Sequence, residues 1–243
     1  MPKSDLFLSF NIDTWCAHSS GLSQSQEWEK WASHLCWPEN GQLECGAIPA
    51  MMRRRMSSLS KVAVQTAIEL LNQHQVDYLV FASRHGELQR SIALVRDILS
   101  GEPASPMAFS QSVHNTAAGL ATIATKQAIP LTSVAASENT FHSALIEAWL
   151  YLEANPSSKV LLVDFDEPLP QDYLQFEQQS YQGYALGLVL SKGDTMQLSR
   201  QAAGQFDPSA LPAGLRFLQH YLLKHQQWQI ETPMQTWSWY RKQ

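Results

Sequence analysis

SPMAFSQSVHNTAAGLATIATKQAIPLTSVAASENTFHSALIEA, residues 105–148, is the stretch that decides the fold. After Pro106 the apolar spacing predicts a helix over about 112–126, with Val113, Ala117, Leu120 and Ala124 on one stripe. Residues 130–136 read as a buried strand. A tight turn follows at Ala136-Ser137-Glu138-Asn139. A strong helix then covers 139–154, with Phe141, Leu145, Ala148 and Leu152 along one side. Strand, sharp turn and helix in direct succession place the turn residues at the end of a sheet, where α/β folds put their ligands.

The same alternation continues on both sides. Residues 6–12 alternate as a strand, and 13–50 are rich in Trp, Cys, Gly and Pro, with a short helix over 23–36. Ser57, Ser58 and Ser60 can cap a helix running to about Gln73, with Val64, Ile68 and Leu71 on one face. Val76–Ala82 is a compact apolar strand, and a helix over 87–99 ends at Gly101-Glu102-Pro103. Lys159–Phe165 reads as a buried strand. Another, Gly183–Leu190, ends in Lys192-Gly193-Asp194, a hairpin-type turn. Gln201–Pro208 reads as a linker. Beyond it, Leu211, Leu215, Leu218 and Leu222 lie at helical spacing, and Trp228, Trp237, Trp239 and Tyr240 suit a packed flap. Strands separated by helices imply a layered α/β domain with a largely parallel sheet.

The chain has 243 residues, enough for one large domain or two small ones. Apolar residues at 44% against 16% charged suit a well-buried globule rather than a disordered chain. A net charge of −5, with Arg53-Arg54-Arg55 as the one basic cluster, gives no footprint for nucleic acid. Three Cys at 16, 36 and 45 lack C-x-x-C spacing, so neither a disulfide framework nor a zinc site is expected. Reduced thiols, no signal peptide in MPKSDLFLSFNIDTW and no membrane-length apolar run lead to a cytoplasmic assignment. No cofactor or metal is implied.

Residues 105–148 resemble the nucleophile region of β-ketoacyl synthases, condensing enzymes of the thiolase fold. The family pattern is a Ser-Pro, an Asn followed four residues on by Gly, a glycine-proline step, a strand and a Cys nucleophile. This chain offers Ser105-Pro106, Asn115, Gly119 and Pro130, and the count to Glu138 needs no gap. Val160–Val163 with Asp166-Glu167 is similar to the strand that presents the family's acidic residue, although Asp164 and Phe165 replace its glycines. Gly183–Leu190 is similar to its glycine-rich strand. Phe81–Leu88 and Ser112–Asn115 resemble short separate chains of bacterial aryl polyene and related type II polyketide pathways. The expectation is an α/β, thiolase-like half with a mixed, mainly parallel sheet and helices on both faces. Residues 1–195 would form the ketosynthase-like N-terminal domain. Residues 196–243 would form an amphipathic helix and aromatic tail packing on the same domain.

Two departures from the family pattern shape the functional expectation. Glu138 stands where the resemblance places the Cys, and a carboxylate cannot carry an acyl chain as a thioester. A structural reading, an acid favoured by the helix dipole, is preferred for it. The second departure is length: about 50 residues follow the first half, where the family supplies a second half carrying His or Asn groups. His220 and His225 lack the family's surrounding motif and, five apart in a helix, sit on poorly matched faces.

Other constellations read as structural. Cys16 lies near His18 and Asp13, but residues three apart on a strand do not share a face, and Cys16 reads as a buried thiol rather than a nucleophile. His85 follows a strand end and reads as a loop or interface residue. His114 and Asn115 read as capping and packing residues.

The resemblance therefore implies a non-catalytic, chain-length-factor-like subunit. It would pair obligately with a full-length ketosynthase and help shape the acyl-chain tunnel, and the complex would engage an acyl carrier protein. Residues implied at the tunnel and interface are Met107, Ala108, Phe109, His114, Asn115, Leu131, Ser133, Val134, Ala136 and Glu138. Two alternatives stay open: decarboxylation of malonyl carrier protein using Glu138, and a pure scaffold that docks a carrier protein.

Overall fold

The computed structural model describes residues 6–242; the first five, part of the stretch read against a signal peptide, lie outside them. In chain order the elements are β1 (Phe7–Ser19), α1 (Ser25–His34), α2 (Ala50–Arg53), α3 (Ser58–Gln73), β2 (Tyr78–Ala82), α4 (Leu88–Leu99), α5 (Pro106–Ser110) and α6 (Thr116–Thr125). Then come β3 (Leu131–Val134), α7 (Thr140–Ala154), β4 (Lys159–Asp166), a 3₁₀ turn (Gln171–Phe176), β5 (Tyr184–Ala202), α8 (Ala213–Leu222), β6 (Gln227–Glu231) and β7 (Gln235–Arg241).

One seven-stranded sheet runs β3-β2-β4-β5-β7-β6, with β1 also on β5. Side chains alternate between its two faces. Leu79, Phe81, Leu161, Val163 and Phe165 face α3 and α6, through Val64, Ala67, Ile68, Ala117 and Ala121. Val80, Ala82, Val160, Leu162, Leu186 and Leu188 face α7 and α8, through Phe141, Leu145, Leu215 and Phe217. The thiolase-like α/β half with helices on both faces is thus as expected. The parallel share is smaller than expected: β2 pairs in parallel with β3 and β4, and the other four pairings are antiparallel. Helix connections of the βαβ type exist only around β2, β3 and β4, and these are what force parallel pairing.

The central helices begin where the sequence places them. Ser57 caps α3 by accepting from the Ser60 N–H at 2.9 Å, and Ser105 caps α5 by accepting from the Ala108 N–H. Two strands are longer than expected. β1 continues to Ser19, and its register against β5 shifts between Phe10 and Asn11 and again between Ile12 and Thr14. β5 does not stop at the Lys192-Gly193-Asp194 turn. The Asn11 side chain lies where a Cβ on Gly193 would sit, and it bonds Lys192 and Thr195. The turn is absorbed as an irregularity in the β1–β5 register, and β5 runs on to Ala202. β7 pairs with that continuation and β6 with β7, so the aromatic tail is a hairpin in the sheet rather than a flap over it.

Candidate functional site

The turn between β3 and α7 carries the site. Ser137 at its tip holds φ +54°, a left-handed conformation rare outside glycine. Thr140 closes the turn: its hydroxyl accepts from the Ala136 N–H at 2.9 Å and donates to the Ser137 carbonyl at 2.7 Å. Asn139 ties the turn to the C-terminal hairpin. Its Oδ1 accepts from the Thr232 hydroxyl and from the Trp237 indole N–H, both at 3.0 Å. Trp237 in turn stacks on His142, with ring centroids 4.6 Å apart. Burial holds His142 well below the usual histidine range, so it is a neutral ring in the aromatic core.

Glu138 opens onto a narrow cleft, with room for only about 30 Å³, lined by Arg84, Asp164, Asp166, Tyr184, Gly214, Arg216 and Glu231 among others. Its carboxylate accepts from the Ser137 hydroxyl and sits 3.8 Å from the Arg84 guanidinium. Partial burial pushes its pKa up. The Ser137 bond, its own backbone N–H, Arg84 and His85 outweigh that and bring it below the ordinary glutamate value. Glu138 is thus an ionised carboxylate at neutral pH.

The opposite wall, from the end of β4, carries two buried acids, Asp164 and Asp166; the half-buried Glu167 follows them outside the cleft. Asp166 accepts from the Ser83 hydroxyl at 2.9 Å and from the Arg84 backbone N–H, yet burial raises its pKa to about 6. Asp164 accepts from the Tyr184 hydroxyl at 2.7 Å. Burial, with Asp166 adding, lifts Asp164 to about 8. Glu167 is raised to about 7 by burial and by Glu87 and Asp166. Gly214 starts α8 close above Asp164: a Cβ there would lie 2.0 Å from the carboxyl oxygen. Arg84 Nε donates to His85 Nε2 at 2.8 Å, and burial followed by the Arg84 charge keeps His85 below its usual value.

The remaining expected residues fall into two places. Met107 and Phe109 on α5 are more than half exposed, with Ala108 half-buried between them. Leu131, Ser133 and Val134 lie on β3, which ends the sheet, and all three are half-buried. The Ser133 hydroxyl has no partner. His114 reaches neither group: its Nε2 donates to the Ser83 carbonyl at 2.8 Å and its ring packs over Gly86. Asn115 sits at the N-cap of α6 but makes no capping bond with its side chain, so the capping expectation fails there. Thr116 instead donates its hydroxyl back to the Val113 carbonyl.

One further expectation is corrected. His220 and His225 do meet, Nδ1 to Nδ1 at 2.7 Å. α8 ends at Leu222 and Lys224 turns the chain back at φ +58°, so helical spacing does not govern the pair. Asp13 lies apart from Cys16, as the strand spacing implies, and bonds with Lys159 at 2.7 Å and Ser191 at 2.6 Å. The Asn139–Trp237 and Asp164–Tyr184 contacts join segments 98 and 20 residues apart, and no local motif announces them.

Comparisons with known proteins agree with this architecture. The family model for the β-ketoacyl synthase N-terminal domain matches residues 28–240. No curated protein gives a significant match. One chain of the solved complex of a ketosynthase (ApeO) with its chain length factor (ApeC) from Xenorhabdus doucetiae is similar, with a TM-score of 0.89 and 33% identity. The match covers 96% of this chain and 100% of that one. The ishigamide ketosynthase/chain length factor gives a TM-score of 0.61 at 15% identity, over 80% of this chain and 67% of that one. A β-ketoacyl synthase from Burkholderia phymatum STM815 gives 0.60 at 12%, over 90% and 71%. The last two share the fold alone. No described helix is long and apolar enough to cross a membrane.

Proposed function

This chain belongs to the β-ketoacyl synthase N-terminal domain family, and from that premise we propose that it is a non-catalytic, chain-length-factor-like partner of a full-length β-ketoacyl synthase. The observation that carries the reading is the 33% identity, end to end, with a chain of similar size in a ketosynthase–chain length factor complex. The site supports it. Glu138, at the tip of the strand–turn–helix unit, has no thiol to load; its carboxylate is hydrogen-bonded by Ser137 and paired loosely with Arg84. β3 ends the sheet with one edge unpaired among the described residues, a ready template for a strand from a partner. Exposed apolar side chains at Val95, Ile98, Leu99, Met107, Phe109, Val113 and Ile123 lie on α4, α5, α6 and the segment before α6. A partner would remove them from water.

In this reading the partner carries out condensation and this chain bounds the space in which the product grows. Met107, Ala108 and Phe109 would reach the tunnel, and an acyl carrier protein would engage the assembled complex. Decarboxylation by Glu138 is the weaker reading. An ionised carboxylate beside Arg84 has no proton to give, and carbon dioxide release from malonyl carrier protein tests it directly. The deciding experiment is co-expression with a candidate full-length ketosynthase from the same organism, followed by size-exclusion chromatography with light scattering. A stable one-to-one complex is expected; a monomer or homodimer that ignores the synthase would overturn the proposal.

A further inference from the structure

On the face of the sheet away from the cleft, β1 and α3 bring three donor groups to one point. The register shift at Asp13 turns Cys16 and His18 toward α3, opposite Gly187 and Ala185 of β5. Gly187 lets the helix come close: a Cβ there would lie 2.8 Å from Thr66 and 2.6 Å from Leu70. α3 then presents Thr66 and, three residues on, Glu69. The Cys16 Sγ, a His18 ring nitrogen and a Glu69 carboxylate oxygen all lie within 4.8 Å of one another. The His18 ring is fully enclosed while the Glu69 side chain is about one-third exposed, so the cluster opens to solvent on the carboxylate side.

The hydrogen bonds fix the histidine. Thr66 donates its one hydroxyl proton to the Val62 carbonyl at 2.9 Å. With that proton on Val62, His18 Nδ1, 3.0 Å from the same oxygen, is the N–H that donates to it. That leaves the Nε2 lone pair facing Glu69 Oε2 at 3.1 Å. A cation bound between these two acceptors holds this tautomer; without one, the Thr66 hydroxyl can turn to Nδ1 and Nε2–H can donate to Glu69. A metal ion satisfies both acceptors and gives the Cys16 sulfur a partner; its only hydrogen bond is a long one, 3.7 Å, to the Thr66 carbonyl. An imidazole whose second nitrogen is held by a hydrogen bond is also how metal-binding histidines are oriented.

We propose that Cys16, His18 and Glu69 form a binding site for a zinc-class divalent ion, with water as the fourth ligand and Thr66 orienting the imidazole. One sulfur, one nitrogen and one oxygen donor suit a tetrahedral borderline ion, with bonds of roughly 2.0–2.3 Å. The ion clips β1 to α3, and the inference is independent of the proposed role in acyl-chain synthesis.

Cobalt titration of the chelator-treated full chain, alone or in complex with its partner synthase, tests the site. Expected are one equivalent of Co²⁺, intense tetrahedral d–d bands, a thiolate-to-cobalt charge-transfer band, displacement by Zn²⁺ and a higher melting temperature with Zn²⁺. Cys16→Ser should remove the charge-transfer band, while a Cys36→Ser/Cys45→Ser double variant keeps it. Thr66→Val should weaken binding by about 10–100-fold, as loss of an orienting partner does. Should Cys16→Ser fail to fold, Glu69→Gln at the exposed rim decides. It must weaken Co²⁺ binding; unchanged binding in that variant, or no stoichiometric uptake by the wild-type chain, would overturn the proposal.

Discussion

Asp164 is a residue whose chemistry the fold strongly displaces. Burial raises it to about 8 and Asp166 to about 6. A carboxyl whose pKa rises on folding binds its proton more tightly in the native state. The native protein therefore holds extra protons between the unfolded value near ~3.9 and those raised values, and stability falls as pH rises through that window. Glu138, Asp13 and Glu231, held below their ordinary values, act in the opposite sense and lose their contribution as pH falls below about 4.5. Stability should peak in mildly acidic solution. Asp164→Asn should flatten the decline between about pH 5 and 8 by up to about 1.4 kcal/mol per pH unit, one proton's worth. Urea denaturation across that range checks it, and parallel curves for wild type and variant would refute it. Ala108, half-buried between exposed Met107 and Phe109, is the second residue with a sharp consequence. In the reconstituted complex Ala108→Phe should shorten the product; an unchanged distribution by mass spectrometry would remove α5 from the tunnel.

Among the elements, those made of local pattern were legible in the sequence and those made of long-range pairing were not. α7, β4 and α3 lie within one or two residues of their expected bounds, because a 3.6-residue stripe or a short apolar run specifies them alone. The Glu138 turn was legible for the same reason. Full-length β5 was not: Lys192-Gly193-Asp194 carries turn chemistry, and only Asn11, 182 residues from Gly193, occupies the space that lets the strand continue. The tail strands β6 and β7 were hidden too, since their partner is that continuation. The pairing of Cys16 with His18 on one face was legible from strand spacing, but the third donor was not, because Glu69 arrives on another element. Gly187 is where these elements meet, and its small size is a packing requirement rather than a backbone one. Gly187→Ala would press on the flexible end of Leu70 and on the stiff, hydrogen-bonded Thr66, so a loss of about 1–3 kcal/mol is expected. Chemical denaturation measures it, and an unchanged midpoint would show that α3 has slack over β5.

At the scale of the whole molecule, the two ends of the sheet are treated differently. The β6 end is packed on the inner side by α8 and by the Trp228, Trp237 and Trp239 cluster. The β3 end carries four residues and no neighbour beyond them among the described residues. Its hydrogen bonding shows which groups are free. Leu79 N–H bonds the Pro130 carbonyl and Ser83 N–H bonds the Val134 carbonyl, so even-numbered residues of this strand point their backbone groups to β2. Backbone groups alternate along a strand, which leaves those of Leu131 and Ser133 directed outward. If a partner strand continues the sheet there, it must use the Ser133 N–H. Ser133→Pro removes that donor without touching a bond to β2, and proline is tolerated on an open edge. The variant should therefore keep the melting temperature of the isolated chain within a few degrees, yet weaken the complex with the synthase by at least about tenfold, the equivalent of one or two lost hydrogen bonds. Light scattering of the co-expressed pair reads the outcome. A complex of undiminished stability would mean that the partner docks on the exposed side chains of α4, α5 and α6 and leaves the strand edge to water.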